Sequence, residues 1–243
     1  MTEPDGEWVV DGAGAVRRLV VAMLAVQGAL LVVDLLFAYL DLVPGKAFQH
    51  LANVAREDGF ATWYSATQAT AVAAVLGAVA WAEGRAGRGR LGWALLALLF
   101  AYIGADDATG LHERIGPAVR HLSGGAVFDL VPSYAWQVVF VPLFGAAGLG
   151  MVLFLRHHLA PALQLGILLA LAGYAVAVGL DFVEGVDGAH ERLADALHLG
   201  HYTVSHAARV LEEELEMAAT TLFLAVFASK LVRTVTPFRL RVG

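Results

Sequence analysis

Six apolar runs, each about 20 residues long, constrain this chain more than any other feature. They cover roughly residues 17–40, 61–82, 91–111, 134–156, 161–183 and 207–232. About 20 residues is the length an α-helix needs to cross the hydrocarbon core of a bilayer. Lipid offers no partner for a backbone N–H or C=O, so each run must satisfy its own hydrogen bonds as a helix. Composition agrees: 58% of residues are hydrophobic and only 16% are charged, against about 25% charged in a soluble domain. The expected fold is all-α, a polytopic membrane bundle of about six transmembrane helices in three hairpins. One membrane domain would fill residues 1–243, with residues 1–16 and 233–243 as terminal segments on one side.

Basic residues set the expected orientation. Arg17, Arg18, Arg85, Arg88, Arg90, Arg156, Lys230, Arg233, Arg239 and Arg241 would share the side of the termini. Lys46, Arg56, Arg114, Arg120, Arg192 and Arg209 would share the other. The excess predicts cytoplasmic N- and C-termini in a prokaryotic plasma membrane. Residues 1–16 lack the basic start of a signal peptide, so the first span would act as the insertion signal. A net charge of -6 opposes nucleic-acid binding, and with no cysteine the chain has neither disulfide nor thiolate chemistry. The expected partners are the bilayer and a small-molecule or lipid substrate.

Polar chemistry is concentrated away from the termini. Of 22 acids, only Glu3, Asp5, Glu7, Asp11 and Glu83 fall on the cytoplasmic side, and of nine histidines only His157 and His158. Two span ends carry nearly the same motif, acidic-x-x-(Thr/Asp)-x-x-His-Glu-Arg-aliphatic. One is Asp106 to Ile115, with Asp106, Thr109, His112 and Glu113; the other is Glu184 to Leu193, with Glu184, Asp187, His190 and Glu191. On a helix, Asp106, Thr109 and Glu113 share a face, as do Glu184, Asp187 and Glu191. The pattern suggests an internal repeat of hairpins, with a weaker third echo at Asp41 and His50. Pro44, Pro117 and Pro132 punctuate the outer connections. Residues 184–206 read as an amphipathic interfacial segment with Leu193, Leu197 and Tyr202 toward lipid.

The last span opens on a third polar face, His206, Arg209, Glu213 and Glu216, with Glu212 and Glu216 one turn apart. Asp34 sits late in the first span. Carboxylates near hydrocarbon cost at least a few kcal/mol each, and clustered ones repel unless a cation compensates. Twelve acids, among them Asp34, Asp107, Asp181 and Glu214, face only Arg114, Arg192 and Arg209. Metal ions or shared protons are the natural remainder. Carboxylate with imidazole and no thiolate suits iron, manganese or zinc, with calcium as a further option. The candidate metal ligands are Asp106, His112, Glu113, Glu184, His190, Glu191, Glu213 and Glu216. Asp34, Asp107, Asp187, His198, His201, His206 and Glu212 are candidates for a second shell or proton relay. Trp63, Tyr64, Tyr134 and Trp136 read as an aromatic belt.

Residues 60–230 resemble a family of uncharacterised bacterial multi-pass membrane proteins. The resemblance rests on Trp63-Tyr64-Ser65, on Asp106-Asp107 with His112-Glu113, and on Glu212-Glu213-Glu214-Leu215-Glu216-Met217. Asp107 stands where that family has Glu. The resemblance implies that Asp106, His112, Glu113, Glu212, Glu213 and Glu216 act together, and it brings no activity. The residues themselves predict a membrane metalloprotein, a hydrolase or oxidoreductase acting on a lipid-soluble or periplasmic substrate. A proton or divalent-cation transporter using the same acids is the alternative, and a membrane subunit or assembly factor the third reading.

Overall fold

The computed structural model describes residues 7–9, 11–42, 45–85, 87, 89–124, 133–235 and 239–241. Glu3, Asp5, Pro44, Arg88 and Pro132 lie outside the described residues, as do the side chains of Glu7, Glu113, Arg239 and Arg241. The fold is all-α apart from one ribbon, in which β1 (Glu7–Val9) pairs antiparallel with β2 (Arg239–Arg241) and ties the two termini together.

Helix α1 (Gly12–Val33) starts where the Asp11 carboxylate accepts the Gly14 amide at 2.9 Å, a standard N-cap. It runs on as a π-helical turn over Asp34–Tyr39. A short α2 (Lys46–Ala52) follows. Then come α3 (Phe60–Arg85), α4 (Arg90–Thr109), a short α5 (Leu111–Leu122), α6 (Gln137–Leu155) and α7 (Pro161–Glu184). A short α8 (Ala189–Leu197) leads into the long α9 (His201–Val235). Pro161 opens α7 at a position where its missing N–H costs nothing.

Six of these helices, α1 with its π turn, α3, α4, α6, α7 and α9, are long and apolar enough to cross a membrane. They match the six apolar runs and mark a multi-pass membrane protein. The short helices α2, α5 and α8 all fall at the end remote from the termini, here termed the motif end. Helix α9 is the axis of the bundle: half of its most apolar window is buried, against 11% for α1. It packs on α1, α3, α7 and α8, while α3 and α4 form the tightest pair. Gly104 allows that approach, since a Cβ there would stand 3.0 Å from the Ala66 carbonyl oxygen. The closest pairs are therefore α3 with α4, which joins spans two and three across the expected hairpins, and α7 with α9, which is the third expected hairpin.

The apolar core lies in the half nearer the termini. Phe100, Phe223 and Phe227 interlock there edge-on and stacked, with Leu76, Trp93 and Leu224 around them. Toward the motif end the interior becomes polar.

Candidate functional site

The polar interior begins at the π turn. An i to i−5 bond from the Leu40 amide to the Leu35 carbonyl, 3.0 Å, widens the helix there. Such turns recur at functional sites. The turn carries Asp34, only 4% exposed. Asp34 Oδ1 accepts the Val54 amide at 2.9 Å, and Oδ2 accepts His206 Nε2 at 2.9 Å. Hydrogen bonds to a charged group contribute about 1.5–3 kcal/mol each, which offsets the cost of burying the carboxylate. The His206 ring is 5.4 Å from both Tyr39 and Tyr202 and stacks on each. Tyr39 is itself tied to Thr203 through a 3.0 Å hydroxyl contact. Tyr39 and Tyr202 also stack on each other, 6.0 Å apart, so the three rings form one cluster and the imidazole is held by that cluster and at Nε2. No hydrogen bond among the described residues engages its Nδ1.

His206 lies in the wall of a cavity of about 590 Å³ at the motif end, beside His50, His190, His201, Glu184 and Arg209. That volume falls within the usual range for small-molecule sites. The second sequence motif builds much of this wall. Arg209 Nε donates to Glu184 Oε2 at 2.7 Å while its Nη2 approaches Oε1 at 2.5 Å. The Tyr134 hydroxyl adds a bond to Glu184 Oε1 at 3.1 Å. Burial first, and the Glu184 charge second, push the Tyr134 phenol above its ordinary range and keep it a donor. Glu191 meets His201 at 3.3 Å. His190 is buried and makes no hydrogen bond among the described residues. Asp187 lines the cavity, while His198 caps α8 in a left-handed conformation (φ 54°).

The first motif closes on itself. Asp106 Oδ1 accepts the His112 amide at 2.8 Å and Oδ2 accepts the His112 ring Nδ1 at 2.9 Å. The carboxylate therefore caps the start of α5 and orients the ring, which packs edge-on against Trp136 at 4.9 Å. Asp107 points to a different helix and accepts Ser65 Oγ at 2.7 Å.

Between the two motifs runs α9. Glu213 lies within electrostatic range of Glu212, Glu216 and Asp107, and Glu216 of Asp107, Asp181 and His112. Among the described residues, the carboxylates of Glu212, Glu213 and Glu216 make no hydrogen bond or ion pair. Asp181 accepts Gln137 Nε2 at 2.7 Å. One turn deeper, Thr220 donates to the Glu216 carbonyl at 2.9 Å, so the Tyr174 hydroxyl donates to Thr220 at 2.7 Å. Thr221 then accepts both Gln27 Nε2 and Gln68 Nε2 at 2.8 Å. From His206 to Thr221 the polar column descends about 22 Å, at about 1.5 Å per residue. Below it stands the phenylalanine core. Polar contact resumes only at Lys230, which donates to Glu83 at 2.6 Å.

The candidate ligands thus divide. Asp106 and His112 form one pair, Glu184 belongs to Arg209, and Glu191 belongs to His201. His190 lies in the cavity wall, and Glu213 and Glu216 lie beneath it. The Glu113 side chain falls outside the described residues. Among the described residues, no three His, Asp or Glu side chains are grouped to hold a metal ion. The relay candidates are better joined, since Asp34 and His206 form the most enclosed ionisable pair at this end. Sequence reasoning named both but did not pair them across 172 residues. Their link was signalled only by a carboxylate late in an apolar run. Tyr64, expected in an aromatic belt, is instead buried, with its hydroxyl on the Met23 carbonyl at 2.9 Å, whereas Trp63 is 70% exposed.

No curated protein and no solved structure shows significant similarity to the chain. Residues 19–231 match a family described as a domain of unknown function, DUF8692. That match takes in four of the six long helices whole, most of the first and last, and every residue of both motifs, and the chain belongs to this family.

Proposed function

We propose that this protein is an integral membrane enzyme of the prokaryotic plasma membrane whose cavity opens on the outer face, and that the Asp34–His206 dyad moves a proton to or from a polar group of a substrate held there. The observation that carries this reading is the fixation of His206. Its Nε2 is committed to a buried carboxylate, its ring is packed in a cluster with two tyrosines, and it forms part of a ligand-sized cavity wall. A carboxylate that orients an imidazole in this way favours one tautomer and stabilises the imidazolium formed on proton uptake. The outward orientation is supported by the basic residues at the opposite end, among them Arg17, Arg18, Arg85, Arg156, Lys230 and Arg233. The phenylalanine block beneath Thr221 supports a blind-ended reaction site over a path for transport.

The test is to incubate the purified protein with a membrane lipid and metabolite extract and follow composition by mass spectrometry. Time-dependent conversion should occur with the native chain and disappear in both Asp34→Asn and His206→Gln. Conversion that survives either variant overturns the dyad's role, and no conversion in any extract overturns the enzyme reading.

A divalent cation is a second reading, supported by the three α9 carboxylates that lack hydrogen-bonding partners beside Asp107 and Asp181. Iron, manganese, zinc or calcium bound there would neutralise the cluster. Stoichiometric metal in the purified protein, lost in Glu213→Gln/Glu216→Gln, supports it. Absence of metal after reconstitution with each ion removes it and leaves shared protons.

A further inference from the structure

We propose that the cavity takes the headgroup of a membrane amphiphile, which enters laterally between α2 and α8 while its chain stays in the bilayer. This rests on the acid–base reading of the cavity and adds the class and route of the substrate. The argument starts from two short helices on the cavity rim. Helix α2 turns Gln49 and His50 into the cavity wall and leaves Phe48 40% and Leu51 42% exposed. Helix α8 turns His190 and Ala194 inward and leaves Leu193 44% and Leu197 54% exposed, with Leu199 and Tyr202 exposed just beyond. Both rim helices thus place polar side chains on the same cavity, Gln49 and His50 from α2 and His190 and Glu191 from α8, and expose apolar side chains beside it.

An apolar face open to water at such a rim is unfavourable, and it needs a cover. The bilayer is the cover the fold supplies. Helix α8 follows α7 after only the turn at residues 185–188. The last turns of α7 expose Val176, Phe182 and Val183 as part of its membrane-facing surface. The exposed leucines of α8 continue that surface around the corner of the span. A helix in this position lies in the bilayer interface, with its apolar face at the acyl boundary. The cavity mouth then opens at headgroup depth. Tyr202 belongs to both surfaces, since it lines the cavity and is 55% exposed. A water-soluble substrate would need no such apolar lips, whereas an amphiphile needs a polar pocket and an apolar rim in contact.

The absence of cysteine makes the test direct. Phe48→Cys, Leu197→Cys and, as a polar-face control, Asp195→Cys would each carry a nitroxide label in phosphatidylcholine vesicles. Oxygen should relax the labels at 48 and 197 more than a water-soluble nickel chelate does, with the order reversed at 195. A phosphatidylcholine with a diazirine beside its headgroup should, on illumination, label His50, His201 or Tyr202. Leu193→Asp/Leu197→Asp should reduce that labelling several-fold while the helical spectrum is retained. Nickel-dominated relaxation at 48 and 197 overturns the proposal. So does protection from both reagents, which would place a protein partner on the rim, and so do adducts confined to the spans. Asp34→Asn separates the two readings. Lost turnover with retained mouth adducts supports both, whereas turnover of a water-soluble compound without mouth adducts keeps the dyad and removes lateral entry.

Discussion

The two stretches that carry the acidic-to-His-Glu-Arg motif share a left-handed glycine turn and are used differently. In each, a long helix ends, a glycine takes the left-handed region, and a short helix begins with histidine as its second residue. Gly110 has φ 58° and opens α5; Gly188 has φ 66° and opens α8. The partners then diverge. Asp106 turns back to cap α5 and holds His112, so the first copy satisfies itself. Glu184, the matching acid, is taken by Arg209 of α9, and His190 remains in the cavity wall. Local sequence specified the turn, but the neighbouring helix decided the chemistry. Helix α9 runs between the copies: on the side of the second lie the cavity and the Asp34–His206 dyad, and beside the first lie Trp136 and Ser65.

The largest expected effect breaks the second copy at its tertiary anchor. Arg209→Met leaves Glu184, whose side chain is 13% exposed, without its cation. Stranding one partner of a buried pair is strongly destabilising. Arg209 is itself half-exposed, so the cost should be about 2 kcal/mol by denaturant unfolding in detergent, below the fully buried value. Adding Glu184→Gln should recover at least about 1 kcal/mol, the signature of direct coupling. Simple additivity would show that the pair is not what anchors the second copy.

The self-contained copy should fail locally. Asp106→Ala removes the cap of α5 and the ring contact, at about 1–2 kcal/mol. Hydrogen exchange should speed up in the amides of residues 112–115. Glu184→Ala should leave exchange of the amides of residues 190–193 unchanged, since Glu184 caps nothing there. Equal exchange responses in the two variants would erase the contrast between the copies. The likeness of the backbones has its own check. Gly110→Ala and Gly188→Ala each put a Cβ into the left-handed region, at about 1 kcal/mol apiece. At Gly188 the new Cβ would come nearest to Arg192 Nη1, at 3.1 Å, the far end of an exposed side chain. Unequal unfolding costs would show that the two turns are not equivalent.

What the sequence makes legible follows the same division. The six spans could be read because hydrocarbon imposes both length and apolarity on each run, and helix ends agree within several residues. The start of α9 was harder. The helix begins at His201, well before the apolar stretch, because its first turns are carried by polar tertiary contacts such as those of His206 and Arg209. Asp34 was visible as an acid in an apolar run, yet its partner was not. Pairing depends on the π turn and on how α1 lies against α9, and neither leaves a periodic signal. The duplicated motif was plain to read, but its spacing could not say which copy faces a cavity.

The smallest expected effect on stability is the most informative about function. His190→Gln keeps a polar side chain of similar size and breaks no hydrogen bond among the described residues. It should cost less than about 1 kcal/mol. His112→Gln, by contrast, gives up an imidazole held by Asp106 and packed on Trp136, and should cost more in unfolding experiments. If the cavity binds substrate, the order reverses for substrate affinity. His190→Gln should weaken binding while His112→Gln leaves it near native, measured by substrate titration of each folded variant. A copy whose histidine matters for stability and a copy whose histidine matters for binding would then be distinct in function as well as in contacts. The same loss of affinity in both variants would return them to a single shared site, as the repeated sequence first implied.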